Sequence, residues 1–582
     1  MSNLSLVLGI HTGHDASAAL LKDGRITAVI AEERLSRKKH QRGFPTLAIR
    51  EVLRIGGVEP KEVGVIALQG RNPGTMMEGL SVASPDEPPT PSQPSLLRQL
   101  RRKMGNAMGY SLNWPRLFLE SGLVPQKMFY VEHHLCHAAG AYYTSGFDKA
   151  LCVTVDGFGD QLSATVGLGE GENLSRSYTV SDRNSIGSFY QAITEALGFE
   201  PIEGENKTMG LACYGDPDRF YDELKRWIWC DDAGRLQTKE PWQYRRIQLH
   251  GDTGTGIVQA DEFRKLVGDE QKRRDLAAAC QRVVEEVLAK FFRKARENCG
   301  SSLPICVAGG VMLNVKFNKL VHEQLGVRDY YVFPDAGDSG LALGAALYAQ
   351  RLQAGRARVG RLRSVYLGNE FDAATIEAEL RRHQGKIAFS RPARYYDAVA
   401  DLLIGGVVLG WFQGRMEMGP RALGARSVLA DPRNQGMKDK INKYLKKRDW
   451  FVPFAPSGLD AKWDTYLEGY IPEYFMTKAF NVRPEYRAKL PAITHVDGTA
   501  RPQGVLADTN PAYYQLLETM ERKIGFPVVL NTSFNRHGLP IVGSPKDAVE
   551  HLLEGNVEGL AIGPFLAVKA EDAAKLPAET PL

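Results

Sequence analysis

The alternation of apolar and polar positions divides residues 6–33, LVLGIHTGHDASAALLKDGRITAVIAEE, into five parts: an apolar strand, a Gly/His/Asp turn, a second strand (SAALL), an Asp23-Gly24 turn and a third strand (ITAVIAE). An Asp-Gly pair between alternating apolar runs predicts a β-hairpin. The same grammar returns in ALCVTVDGFGDQLSATVGLG, residues 150–169. Helical segments follow both copies, so the pattern predicts an internal duplication of strand, Gly/Asp turn and strand. Between the copies, Met128-Phe129-Tyr130-Val131 reads as a short buried strand that leads into the helical pattern of VEHHLCHAAGAYY, 131–143. A long amphipathic helix is predicted from about Arg273 to Asn298, with Leu276, Cys280, Val283, Val284, Val287, Leu288 and Phe291 at helical spacing and Gly300 at its end. The strand LPICVA then runs into Gly309-Gly310-Val311-Met312-Leu313-Asn314, a Gly-Gly turn opening a helix. PDAGDSGLALGAALYAQRL, 334–352, repeats that idea.

Two stretches break the pattern. SVASPDEPPTPSQPS, 81–95, carries five prolines without periodicity and predicts an exposed loop, followed by a basic helical piece, LLRQLRRKM. QAGRARVGRL, 353–362, is basic and irregular. It places a boundary near residue 365, giving domains 1–365 and 366–582, each long enough for its own core.

Composition narrows the class without choosing a function. The chain has 582 residues, 43% hydrophobic and 24% charged, with a formal charge of +5. That balance is ordinary for a soluble globular protein and gives no argument for nucleic acid. The seven scattered cysteines include no CxxC pair, which predicts reduced thiols in a cytoplasmic protein. The start MSNLSLVLGI lacks a charged n-region, and the apolar run LLIGGVVLGWF, 402–412, is too short to span a bilayer. The expectation is a cytoplasmic enzyme with no membrane partner; the oligomeric state is not legible.

Candidate chemistry centres on His133 and His137, four residues apart and therefore on one helix face. Two neutral imidazoles so placed can grip one metal ion. Asp156, after the apolar run LCVTV, and Asp338, in PDAGDSG, are the carboxylates offered as further ligands. Glycine-bearing turns aim backbone N–H groups at anionic oxygens, so Asp156, Gly157, Gly309, Gly310 and Asn314 are assigned to a nucleotide. In the second domain, GWFQGRMEMGPRALGARSVLADPR (410–433) and the segment after it set Arg415, Arg421, Arg426, Arg433, Lys443 and Arg448 among glycines. Forked cations beside close-approach turns suit several phosphate groups. FPVVLNTSFNRHG, 526–538, ends a buried strand in Thr532, Ser533, Asn535 and Arg536, donors suited to a carbamoyl group or to phosphate oxygens. HVDGTARPQGV, 495–505, adds Arg501 and Gln503.

Together these stretches resemble the NodU/CmcH family of O-carbamoyltransferases. The resemblance covers nearly the whole chain. It rests on GIHTGHDASAALL, AEERLSRKKH, HHLCHAA, VDGFGD, GENKTMGLACYG, GGVMLN, PDAGDSGLALGAA, GRMEMGPRALGARS, LADPR, FAPS, DGTARPQ and LNTSFN, in that order. It implies an α/β fold: a duplicated actin-like (ASKHA) N-terminal domain and a C-terminal YrdC-like domain. It also implies that carbamoyl phosphate and ATP, the latter with Mg2+, give carbamoyl-adenylate in the second domain. The first domain then transfers the carbamoyl group to an acceptor hydroxyl. The implied metal at His133, His137 and Asp338 is a divalent ion, Fe(II) by family; spacing alone equally allows zinc or manganese. His14 is assigned to acceptor deprotonation, with Asp15 orienting it and Lys207 neutralising charge or serving the structure. Arg415, Arg426, Lys443, Arg448, Arg501, Ser533 and Asn535 are assigned to carbamoyl phosphate and ATP.

Two positions depart from the family pattern: Met418 stands where an aromatic is frequent, and Cys213 where many relatives have proline. Both are packing-type changes. Two other readings keep parts of the fold. A tRNA threonylcarbamoylation enzyme is opposed by the modest charge. An actin-like phosphotransferase or ATP-binding regulator has no need of the C-terminal cations. The acceptor is expected to be a small hydroxylated secondary metabolite. Trp227, Trp229, Trp242 and Tyr244 are weighed both as a sugar-stacking wall and as core.

Overall fold

The computed structural model describes residues 5–70, 80–83, 114–249, 252–446 and 449–576. Strands β1 (Leu6–His11), β2 (Ser17–Lys22), β3 (Arg25–Ala31), β4 (Val65–Gln69), β5 (Leu80–Ala83) and β6 (Lys127–Val131) form one sheet in the order β3-β2-β1-β4-β6-β5. β1 pairs antiparallel with β2 and parallel with β4. The Asp23-Gly24 turn has φ of 53° and 82°, the left-handed pair that lets a two-residue loop follow the strand twist. β5 occupies the start of the segment expected to be a loop: it pairs parallel with β6, and the remainder of the proline-rich stretch and its basic helix lie outside the described residues.

The second copy is β7 (Lys149–Gly159), β8 (Leu162–Glu170), β9 (Asn173–Ser181), β10 (Ile305–Ala308) and β11 (Tyr330–Val332), in the order β9-β8-β7-β10-β11. Its pairing repeats that of β3-β2-β1-β4-β6: two antiparallel steps, then two parallel ones. The duplicated actin-like architecture is therefore visible in the sheet order. Each copy ends in a helix, α1 (His133–Tyr143) after β6 and α2 (Leu341–Ala354) after β11. These helices pack on each other and exchange sheets: α1 lies on β7 and β10, α2 on β1, β2 and β4. The amphipathic helix of the second copy runs from Glu270 to Cys299, capped by Asp269, three residues earlier than its periodicity alone indicates.

The C-terminal unit is a mixed sheet of eight strands: β12 (Ile387–Ser390), β13 (Leu409–Phe412), β14 (Arg426–Ala430), β15 (Ala455–Leu459), β16 (Gln503–Val505), β17 (Val528–Ser533), β18 (Gly559–Ile562) and β19 (Phe565–Lys569). Apolar clusters cover both of its faces, as the α/β, YrdC-like expectation requires. The loop from β13 to β14 is the GRMEMGPRALG stretch. A core cluster joins the units: Met418, Leu423, Ala455, Phe475 and Met476 pack with Val365 and with residues of α1 and α2. No described helix is long and apolar enough to cross a membrane.

Candidate functional site

The apolar register of β7 keeps Val153 and Val155 in the core, and the pairing with β8 then breaks: Asp156, Gly157 and Phe158 stand opposite a single residue. This bulge turns Asp156 toward the start of α1. Glu132 caps α1 by accepting from the backbone N–H of His134 and Leu135, and the first turn projects His133 and His137 to the same place. Asp338 arrives from the turn that opens α2. The result is a buried group of His133, His137, Asp156 and Asp338 whose ligand atoms all lie within 4.8 Å of one another. His133 Nε2 is 2.9 Å from Asp156 Oδ2 and 3.7 Å from Asp338 Oδ1; His137 Nε2 is 3.6 and 3.7 Å from the same two oxygens.

Burial alone disfavours the imidazolium of His133, but Asp338 and Asp156 overcome it and push its pKa up to about 10. Both carboxylates are held below their ordinary range by the histidines despite burial. Burial and the neighbouring His133 instead push His134 down to about 3, and its Nδ1 bonds Thr154 on the core side. The four grouped residues fit a divalent ion: His137 Nε2 is sealed from solvent without a hydrogen-bond partner among the described residues, and two carboxylates with two imidazoles suit iron, zinc or manganese alike.

His133, Asp156 and Asp338 of this group line one wall of a cavity of about 770 Å3, which His137 does not reach. His14 lies beside it, with Nε2 3.2 Å from Asp338 Oδ2 and Nδ1 3.1 Å from Asp15 Oδ2. Burial opposes its charge, but Asp338 and Asp15 raise its pKa to about 9. Asp15 also holds His40 at 2.7 Å, and His40 and Lys39 contact Glu203. Lys207 reaches the cavity and pairs with Asp449 of the second unit at 3.1 Å. Gly157 offers open space at its Cα, and the Gly310 N–H donates to Asp156 Oδ1 at 2.9 Å. Gly309 lies behind the wall, where φ of 102° and a carbonyl 2.1 Å from any Cβ require glycine. Asn314 caps the helix Val315–Glu323 and exchanges hydrogen bonds with Gln281, while still lining the cavity.

The second unit closes the opposite wall with residues 416–422, Arg501, Ser533 and Asn535. Ser533 Oγ donates to Asn535 Oδ1, whose amide donates to the Leu539 carbonyl, each at 2.5 Å. The cations divide differently from the sequence assignment. Arg415 does not line the cavity; it donates to the carbonyls of Thr27, Leu367 and Gly368 and ties the units together. Arg426 begins the buried strand β14, is fully buried over the Phe412 ring, and donates to the carbonyls of Gln413, Gly414, Ala425 and Asn369. Lys443 is exposed and away from the cavity, and Arg448 lies outside the described residues. Arg421 is the cation of this loop that lines the cavity; burial pushes it down to about 10, and among the described residues no carboxylate lies against it.

Of the four aromatics weighed as a wall, two are core, Tyr244 is partly buried and Trp229 is exposed. Trp227 and Trp242 are buried and stacked at 6.2 Å, and none of Trp227, Trp229, Trp242 and Tyr244 lines the cavity. Tyr244 instead backs Phe158, a cavity residue 40% exposed. Sequence reasoning missed two acids of the wall, the buried Asp335 and the half-buried Glu205. Burial raises Asp335 and Glu205 each to about 7; they lie in the PDAGDSG and GENKTMG stretches, where the sequence reading singled out Asp338 and Lys207 instead.

Comparison with known proteins agrees with this arrangement. A family profile described as carbamoyltransferase N-terminus matches residues 6–347, and one described as carbamoyltransferase C-terminus matches residues 400–569. Nodulation protein NolNO of Sinorhizobium fredii is 35% identical over 96% of this chain and 79% of its own length. Nodulation protein NolO of Bradyrhizobium diazoefficiens is 38% identical over 75% of this chain and 79% of its own length. Nodulation protein U of Azorhizobium caulinodans is more distant, at 26% over 91% and 93%. With both halves matched in order, and with histidines, carboxylates and a cation-bearing glycine loop facing one cavity, the chain belongs to the carbamoyltransferase family and is an O-carbamoyltransferase.

Proposed function

We propose that this enzyme makes carbamoyl-adenylate from carbamoyl phosphate and ATP and passes the carbamoyl group to a hydroxyl of a small secondary metabolite, of antibiotic or toxin type. Family membership implies carbamoyl phosphate and ATP as co-substrates. One observation carries the reading: a single cavity of about 770 Å3 meets Arg421, Arg501, Ser533 and Asn535 on one wall and His14, His133, Asp156 and Asp338 on the other.

Carbamoyl is a poor electrophile because its nitrogen feeds electrons into the carbonyl. In the first half-reaction a water is consumed and inorganic phosphate leaves. The carbamate oxygen then attacks the α-phosphorus of ATP, and pyrophosphate leaves. Arg421 and Arg501 supply forked donors for the anionic oxygens, and Ser533 and Asn535 supply neutral partners for the carbamoyl group. In the second half-reaction the acceptor oxygen attacks the carbamoyl carbon, the bond to AMP breaks, and the acceptor proton passes to the chain. His14, oriented by Asp15, is assigned that exchange in its neutral form, which the pKa of about 9 makes the minor one at pH 7 and which grows as pH rises toward 9. His133, His137, Asp156 and Asp338 would hold a divalent ion, Fe(II) by family, which when bound supplies a Lewis acid for developing negative charge. Phe158 offers the acceptor an apolar face at the cavity wall.

The test is pyrophosphate release and adenylate formation from ATP and carbamoyl phosphate without acceptor, followed by mass spectrometry. Wild type is expected to form the adenylate, His137→Ala to keep forming it, and Arg421→Ala and Asn535→Ala to lose it. Folded, metal-loaded wild type that releases no carbamoyl phosphate-dependent pyrophosphate, with or without acceptor, would sink the adenylate route.

A further inference from the structure

A second set of metal-ligand side chains lies outside the cavity, where the two units meet. Cys213 closes the short helical segment that carries Lys207 and Met209 to the cavity. His495 and Asp497 come from the tight turn before Arg501. One ligand atom from each of Cys213, His495 and Asp497 lies within 4.8 Å of the others. None of the three lines the cavity, so this group is separate from the histidine–aspartate site.

The turn presents its two ligands rigidly. The His495 N–H donates to the Thr499 carbonyl at 2.8 Å, and the Gly498 N–H donates to the His495 carbonyl at 2.9 Å. Asp497 Oδ1 accepts from the Thr499 N–H and hydroxyl at 3.1 and 2.7 Å, leaving Oδ2 to face Cys213, whose thiol donates to it at 3.5 Å. The imidazole of His495 has a side-chain exposure of only 9%, yet its Nε2 is sealed from solvent without a hydrogen-bond partner among the described residues. A buried ring nitrogen left without a partner is costly, and a cation bound to it would remove that cost. Lys316, 3.0 Å from Asp497 Oδ2 and bonded to the Cys213 thiol, is the ammonium described at these two ligands, and His495 Nδ1 stands 3.4 Å from Asp497 Oδ1.

We propose that Cys213, His495 and Asp497 form a second, structural site for a borderline-soft divalent cation of the zinc class, clamping the segment 205–214 of the first unit to the turn 495–499 of the second. One thiolate, one imidazole and one carboxylate are a mixed donor set that zinc accepts, with a fourth position left for water. Binding replaces the thiol proton by the metal, so one proton is released from Cys213, and Lys316 gives up its place at Asp497. The clamp sits six residues from Lys207 and four from Arg501, so it fixes the separation of two cations on opposite walls of the cavity.

Co(II) serves as the probe because a thiolate ligand gives it a charge-transfer absorption that imidazole and carboxylate ligands do not. The full chain, stripped of metal by a chelator, is titrated with Co(II). A saturable thiolate band is expected, displaced by zinc, absent in Cys213→Ser and His495→Gln, and retained when His133 and His137 are both replaced by alanine. Lys316→Met is expected to saturate at a roughly ten-fold lower Co(II) concentration, the order expected for removing one nearby like charge. Zinc is expected to raise the melting temperature of that double alanine variant, and not when Cys213→Ser is added. A wild-type protein without the band at saturating Co(II), or a band that survives in Cys213→Ser, overturns the site. If Cys213→Ser does not fold, survival of the band in His495→Gln does so.

Discussion

Glu205 shows what one buried acid does to this protein. Its half-buried side chain lines the cavity, Oε1 accepts from the Ile202 N–H at 3.1 Å, and Oε2 is sealed without a hydrogen-bond partner among the described residues. Burial raises its pKa from 4.5 to about 7. The folded state thus holds a proton that the unfolded chain has lost, and the contribution of this group to stability falls as pH rises from about 4.5 to about 7 and is constant above that. Glu205→Gln is expected to remove that fall and to stabilise the protein by about 1–3 kcal/mol at pH 8, measured by denaturant unfolding across pH. Arg421 belongs at the same scale. Arg421→Lys keeps the charge and loses the fork, so the KM for carbamoyl phosphate is expected to rise about ten-fold or more with the fold intact. The sequence placed cations in the glycine loop correctly but could not say which of them points inward. Arg426 opens a strand whose five positions are all buried, and a strand register decides its direction, not its composition. Trp227 and Trp242 likewise read as core or wall until the packing of residues far apart in sequence is known.

Among elements, the decisive pair is α1 and α2, because one carries two histidines and the other opens at Asp338. Their approach depends on missing side chains. A Cβ at Gly344 would lie 1.9 Å from the Cys136 carbonyl oxygen, and one at Gly9 1.9 Å from that of Ala342. Gly344→Val is expected to push the helices apart at a cost of about 1–3 kcal/mol, seen as a lower melting temperature. It is also expected to weaken metal retention on gel filtration, which a purely peripheral packing defect would leave untouched. The elements were the most legible part of the sequence. The Asp-Gly hairpin, the helix within VEHHLCHAAGAYY and the long helix capped by Gly300 all follow from local patterns. The exchange of helices between sheets, which brings His133 and Asp338 together, is a long-range contact with no local signature.

At the scale of the molecule, the units share both core and polar contacts. Arg34 donates to the Gly419 carbonyl, Arg37 to those of Pro540 and Ile541, and Asn318 to that of Thr477. Met418, Leu423, Phe475 and Met476 complete an apolar cluster begun by α1 and α2. Guanidinium unfolding is therefore expected to give one coincident transition by fluorescence and circular dichroism, and residues 366–582 expressed alone are expected to aggregate.

The shared cavity also sets a concentration. One molecule confined to about 770 Å3 is present at on the order of 2 M. No metabolite in free solution approaches that value. Under the proposed reaction, unlabelled carbamoyl-adenylate added outside the protein would scarcely dilute an isotope entering as carbamoyl phosphate.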